Sequence, residues 1–233
     1  MTEELTVLYE DNHIIVVLKP QNMPCCEDST GDMDLLTQIK EHIKVKENKP
    51  GNVYVGLVHR LDRVTGGVMV YAKSSKAASR LSEQIRNGDF EKKYLTVVCG
   101  TPKEERAVLT DYMKKNPVNN MVYVCPPTVE GSKRAELEYV TVGKCGDLTL
   151  LLVTLHTGRT HQIRVQMAHN GTPVYGDMRY GGDKAVKGKI ALWSTSLGIF
   201  HPVSKEKMVF KIQPPIAKPW NLFNINDDIL IYD

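Results

Sequence analysis

Short runs of β-branched and large apolar residues, each closed by a turn signal, recur along the chain and constrain its fold more than any other feature. Segment 5–18 holds two such runs around a turn at Glu10–Asn12. VYVGLV at 53–58, VMVYAK after Gly67, YLTVVCG from Tyr94, LEYVTV at 137–142 and LTLLLVTL at 148–155 continue the series. Runs of this length and composition read as strands, and the last two as a hairpin about the turn at Gly143–Asp147. Helical spacing is rarer. Leu36, Ile39 and Ile43 share a face over 33–46, with Asp32 or Asp34 as N-cap. Ala78, Leu81 and Ile85 repeat after a cap at Ser74 or Ser75 and stop at Asn87-Gly88. A third helix takes Thr160 as N-cap, sets Ile163 and Met167 one turn apart and ends at Gly171. Residues 101–134, rich in Lys, Pro and Asn, read as a loop-heavy insertion. Strands outnumber helices, and hairpins outnumber strand–helix–strand units, which predicts an α+β fold in one domain over 1–233.

The chain has 233 residues, enough to bury a real core. Its longest apolar runs, such as Leu148–Leu155, fall well short of the roughly 20 residues of a membrane span. The N-terminal MTEELTVLYEDN is acidic and lacks the charged-then-apolar layout of a secretory signal. A cytoplasmic protein, monomeric and without membrane partners, is the expectation. Five cysteines, odd in number and without CxxC spacing, argue against a zinc site or a disulfide framework. Adjacent Cys25 and Cys26 read as reduced thiols near a loop, with redox reactivity as the alternative.

Net charge is only +3, but it is unevenly spread. Residues 59–93 carry eight Lys and Arg against four acids, and residues 156–189 carry six against two, so the remainder is acidic. Two basic stretches suit a polyanion such as nucleic acid, or are simply solvated faces. The first contains His59-Arg60-Leu61-Asp62, followed by Arg63 and Thr65-Gly66-Gly67. A carboxylate flanked by Arg60 and Arg63 is held ionised, a poor acid but a serviceable nucleophile, base or stabiliser of positive charge. The bland alternative is a surface ion pair. The glycines permit unusual dihedrals or close approach to a ligand. The second stretch contains Arg159-Thr160-His161-Gln162-Ile163-Arg164. Two arginines at a helix start oppose the macrodipole unless a phosphate or a buried carboxylate lies there.

Five blocks, in order, resemble the RluA-type family of pseudouridine synthases: LKPQNMP at 18–24, HRLDRVTGG at 59–67, FEKKYLTVVCG at 90–100, TGRTHQIRVQMAHNGTPVYGD at 157–177, and HP at 201–202. The likeness spans residues 12–202 or so. It implies a mixed, largely antiparallel central sheet with flanking helices and a cleft for RNA. It also implies isomerisation of uridine to pseudouridine in structured ribosomal or transfer RNA, with no cofactor and no metal. By that resemblance Asp62 is the essential aspartate, Arg164 the arginine that pairs with it, and Tyr94 the ring that packs on the target uracil. Arg60 would fill the space left by the flipped base, with His59, Arg63, Arg159 and His161 as further RNA contacts. The chain departs from the family in reading Gly66 where Ser is common and Leu192-Trp193-Ser194 where Leu-His-Ala is common, so Trp193 receives no role. The pattern begins almost at residue 6, so a separate small RNA-binding module is not expected, and target selection falls to the domain's own loops. Two rivals are a catalytically silent RNA-binding relative and a metal-dependent hydrolase using His59, Asp62, His156, His161 and His169. The five-residue spacing of His156 and His161 does not put both on one helix face.

Overall fold

The computed structural model describes residues 4–226 and residue 229. Eleven strands and three α-helices form among them, an α+β fold as the strand count predicts. The chain divides into two compact units. One comprises residues 1–92 and 194–212, the other 93–193 and 213–233.

In the first unit, β1 (Val7–Glu10) and β2 (Ile14–Lys19) form the expected hairpin, and β2 pairs antiparallel with β4 (Gly66–Ala72). The short β3 (Gly56–Leu57) also pairs with β4, and β11 (Lys207–Lys211) pairs with β10 (Leu192–Phe200). Strand alternation sorts the side chains. Ile14 and Val16 join Val68, Val70 and Ala72 in a core with Leu197 and Ile199. Helix α2 (Ser75–Asn87) closes that core with Ala77 and Leu81. It starts where Ser74 accepts the Ala77 N–H and stops where Gly88 turns left-handed, both as the sequence predicts. Helix α1 (Leu35–Lys46) is capped by Asp34, and its buried row is Leu35, Ile39 and Ile43, one residue off the expected start at Leu36.

In the second unit, β5 (Glu91–Cys99) pairs with β9 (Leu148–Leu155), β9 with β8 (Lys133–Cys145), and β8 with β6 (Arg106–Lys115), all antiparallel. Strand β7 (Val122–Val124) completes the order on β6. Residues 101–134 are therefore not loop alone: they hold β6, β7 and the start of β8, with loop between them. Alternation is hard to see in RAVLTDYMKK because only Met113 is fully buried, and pairing with β8 makes the strand. The β8–β9 hairpin is longer and its turn tighter than expected. Cys145 pairs with Leu148, and Gly146 supplies a φ of 55° in the two-residue turn. Helix α3 (Gln162–His169) also departs from expectation. Its N-cap is His161 at φ 53° with no side-chain cap, so Thr160 does not cap it. No helix among the described residues is long and apolar enough to cross a membrane.

Two buried features carry much of the first unit's specificity. Gly67 has φ 124°, and a Cβ there would lie 2.2 Å from the Ser194 carbonyl oxygen. Of the two roles the sequence allows this glycine, it takes the unusual dihedral, and the close approach is made by the backbone of β10. Glu10, whose side chain is 5% exposed, accepts from Lys46 and Lys73 at 2.7 Å and contacts His42 at 3.0 Å. Burial alone would raise its pKa, but these hydrogen bonds outweigh it and bring the group down to about 2. Gly67→Ala should cost more than about 4 kcal/mol, read as lost folded protein or a large fall in Tm, because backbone rather than a mobile side chain must yield. Glu10 binds a proton more readily unfolded than folded, so its stabilisation is complete above the unfolded value near 4.5 and vanishes as pH falls toward 2. Glu10→Gln should therefore destabilise by on the order of 2–3 kcal/mol at neutral pH. Denaturant titrations at pH 7 and pH 2.5 should show most of that difference disappearing in acid.

Candidate active site

Asp62 sits on the loop between β3 and β4, partly buried, and the residues on either side of it are held from below. On one side, the Cys25 thiol donates to the Leu61 carbonyl at 3.1 Å and lies 3.4 Å from the Leu61 N–H. On the other, the Lys19 ammonium donates to the Arg63 carbonyl at 3.0 Å. Lys19 is fully buried at the end of β2 and also donates to the carbonyls of Pro20 and Met23, at 2.9 and 2.7 Å. Its three protons thus meet three acceptors, which favours the charged form. Burial pulls its pKa down to about 8, against the raising effect of Cys25 and Asp62, so it remains a cation at neutral pH. Asp62 closes its own turn by accepting the Thr65 N–H on its backbone carbonyl at 2.9 Å.

The flanking arginines do not behave as the sequence suggests. Arg63 is committed to the 22–32 loop. Its guanidinium bonds Asp28, Thr30, Asp32 and the Asn22 carbonyl. Arg60 is exposed and makes no hydrogen bond or ion pair among the described residues. The charge of Lys19, 43 positions away in the chain, acts on Asp62. His59 turns inward. Its Nε2 accepts the Val70 N–H at 3.1 Å, and its ring meets Phe90 edge-on at 5.1 Å. Burial, then the charge of Lys92, lowers its pKa to about 3, so the ring is neutral and ties the loop to β4.

In the second unit the cluster is built around α3. Arg164, 6% exposed, makes a two-pronged contact with Asp177: Nε to Oδ2 at 2.7 Å and Nη2 to Oδ1 at 2.9 Å. Asp177 also accepts the N–H groups of Arg179 and Tyr180. The Arg164 guanidinium lies 5.1 Å from the centre of the Tyr180 ring, and the Tyr180 hydroxyl meets His161 Nδ1 at 2.7 Å. The buried carboxylate that the sequence demanded near α3 is thus supplied at least by Asp177. Gln162 ties the preceding loop down. Its amide oxygen accepts from Thr157 and from the Arg159 N–H, while its nitrogen donates to Glu136 and Gln166. Arg159 itself is exposed and donates to the Arg134 carbonyl at 2.8 Å. Tyr94 is a buried residue of β5, opposite Val153.

The first unit therefore groups His59, Arg60, Asp62 and Arg63 on one loop, and the second groups Arg159, His161 and Arg164 about the start of α3. Sequence reasoning missed Lys19, Gln162, Asp177 and Tyr180. A lysine ending the apolar run IIVVLK and an acid closing the TPVYGD block were the available signals. Of the histidines weighed as metal ligands, His156 lies 3.8 Å from Glu138 and His169 lies 3.9 Å from Asp111. Among the described residues no three His, Cys, Asp or Glu side chains are grouped to hold a metal ion.

Comparison with known proteins identifies the family of the chain. The profile of the RNA pseudouridylate synthase family matches residues 13–169. An uncharacterized RNA pseudouridine synthase of Bacillus subtilis is 34% identical over 214 residues, which cover 91% of this chain and 73% of that protein. A ribosomal large subunit pseudouridine synthase C of Buchnera aphidicola is 32% identical over 216 residues, covering 87% of this chain and 65% of its own length. In fold, the human RNA pseudouridylate synthase domain containing 4 superposes with a TM-score of 0.76 at 19% identity, covering 90% of this chain and 88% of that one. Asp62, Tyr94 and Arg164 all fall inside the matched span, and the chain belongs to the RNA pseudouridylate synthase family.

Proposed function

We propose that this chain isomerises uridine to pseudouridine at specific positions of a structured RNA, with Asp62 as the central carboxylate. The observation that carries the reading is the immobilised loop: Leu61 and Arg63 are each held by a buried group, Cys25 and Lys19, on a chain of this family. A carboxylate between two fixed neighbours is pre-aimed, which is what a reaction at one sugar carbon needs. The reaction breaks the N1–C1′ bond, turns the uracil, joins C5 to C1′, and moves the C5 proton to solvent while N1 regains one. Attack on C1′ and removal of the 2′ proton are the two routes open to Asp62, and both use an ionised carboxylate beside the sugar.

Tyr94 is assigned to the face of the uracil, where an aromatic ring holds a flat base without reading its edge. Arg164 is assigned to charge support of the catalytic carboxylate, and Asp177 and Tyr180 to holding Arg164 in its rotamer. Arg60, exposed and unpaired, is assigned to the space left when the target base leaves its stack. His59 and Arg63 support the loop, and Arg159 and His161 lie where the second basic stretch would meet RNA. Ribosomal RNA is favoured as the target class, because a relative matched along most of this chain bears a ribosomal large-subunit name. A cytoplasmic monomer fits this reading.

The first test is tritium release from RNA carrying 5-tritiated uridine, prepared from cells lacking the enzyme. Wild type should release tritium, and Asp62→Asn should lose more than about 1,000-fold in rate while keeping its fold. Release by neither protein, with RNA binding intact, would turn the assignment toward a catalytically silent binder. Arg60→Ala should slow turnover on folded RNA about tenfold more than on an unstructured oligonucleotide, since only the former must be unstacked. Equal losses on both substrates would remove Arg60 from base flipping.

A further inference from the structure

Lys92 has no part in the chemistry above, and its surroundings are unusual for a lysine. It lies near the start of β5, half-buried, and makes no hydrogen bond or ion pair among the described residues. Burial lowers its pKa, with no opposing partner. The acids nearest in sequence do not serve it: Glu91 pairs with Lys207 at 2.7 Å, and Asp89 is exposed and forms no bond to it. The titratable group that feels its charge is His59. That ring accepts a backbone N–H on Nε2 and packs against Phe90, so it is neutral and offers Lys92 no negative charge.

An ammonium carries three donors and one charge, and withdrawing it from water without a partner is unfavourable unless an anion arrives. We propose that Lys92 binds a backbone phosphate of the RNA substrate, beside the loop that carries Asp62. This rests on the RNA reading above. Three features of the position favour a phosphate over a protein carboxylate. Phe90, two residues before Lys92 on the way into β5, packs on His59, three residues before Asp62, and the charge of Lys92 reaches that ring, so an anion held by Lys92 lies near the Asp62 loop. Arg60, next to His59 in the chain, is exposed and, like Lys92, has no counter-ion among the described residues. Together they leave two cations without counter-ions in the stretch 59–93, whose local excess of Lys and Arg is four charges. An RNA strand, with a phosphate on every nucleotide, supplies the missing charge without any protein acid being spent there.

The test compares wild type, Lys92→Met and Lys92→Arg in three measurements. These are filter retention of bulk RNA from cells lacking the enzyme over a range of salt, tritium release from that RNA at subsaturating concentration, and thermal stability. Lys92→Met should lower affinity and kcat/KM about ten- to hundredfold at low salt. It should also reduce the slope of log affinity against log salt by about 0.7–0.9, the contribution of one neutralised phosphate. Lys92→Arg should restore most of the slope. Tm of Lys92→Met should be unchanged or higher, because an unpaired, partly desolvated charge has been removed. A salt slope equal to wild type, or a fall in Tm that accounts for the lost activity, would overturn the assignment and leave Lys92 as a packed stem with its ammonium in water. Absence of tritium release from wild type would overturn the isomerase reading alone, since the retention measurement still decides the phosphate contact.

Discussion

The first unit depends on a single buried cation. Lys19 ends a strand of apolar residues, and its ammonium gathers three carbonyls that belong to two distant parts of the chain, residues 20–23 and residue 63. A buried acceptor left unpaired costs on the order of 1–3 kcal/mol, and Lys19 supplies a donor to Pro20 and Met23 while joining the Asn22 N–H on the Arg63 carbonyl. The lysine satisfies them together and, in doing so, fixes the loop that presents Asp62. The Cys25 thiol does the same on the other side of the aspartate. The LKPQNMP and HRLDRVTGG blocks are thus one physical object, with the first acting as the floor of the second.

The second unit solves an opposite problem. Arg164 stands in the first turn of α3, where the helix dipole repels a cation, and it is almost wholly buried. Asp177 offsets both costs with a two-pronged carboxylate contact, the geometry in which an arginine is most strongly oriented. Tyr180 lies against the same guanidinium and touches His161, so one loop after α3 sets the position of several side chains at its start. The cluster is a fully bonded polar network in place of an isolated charge, which is the condition under which buried ions are tolerated.

Local rules read much of this fold correctly, and their failures have physical reasons. Ser74 and Gly88 delimit α2 because capping depends on a few adjacent residues. The β1–β2 hairpin follows from a turn signal between two apolar runs. Strand β6 was hidden because most of its side chains stay partly exposed, so the ladder with β8 and not the side-chain pattern makes it a strand. Thr160 failed as a cap because His161 adopts a left-handed conformation, held where its ring meets Tyr180 nineteen residues later. Gly67 takes the unusual dihedral that its lack of a side chain allows, and the close approach it permits is that of Ser194, 127 positions further on.

The sequence by itself determined the fold class and the family and supplied the candidates for the site, because those rest on residue types in a fixed order. Asp62, Tyr94 and Arg164 are legible as chemistry wherever the chain puts them. Only the tertiary structure decided which charges face which. Arg63, adjacent to Asp62 in sequence, turns away to Asp28 and Asp32, while Lys19, remote in sequence, lies beneath the aspartate's loop. Coulomb energy and hydrogen bonding depend on distances of a few ångströms in space. A side chain longer than the spacing between neighbouring residues can reach in any direction, so charge neighbours along the chain need not be neighbours in the fold.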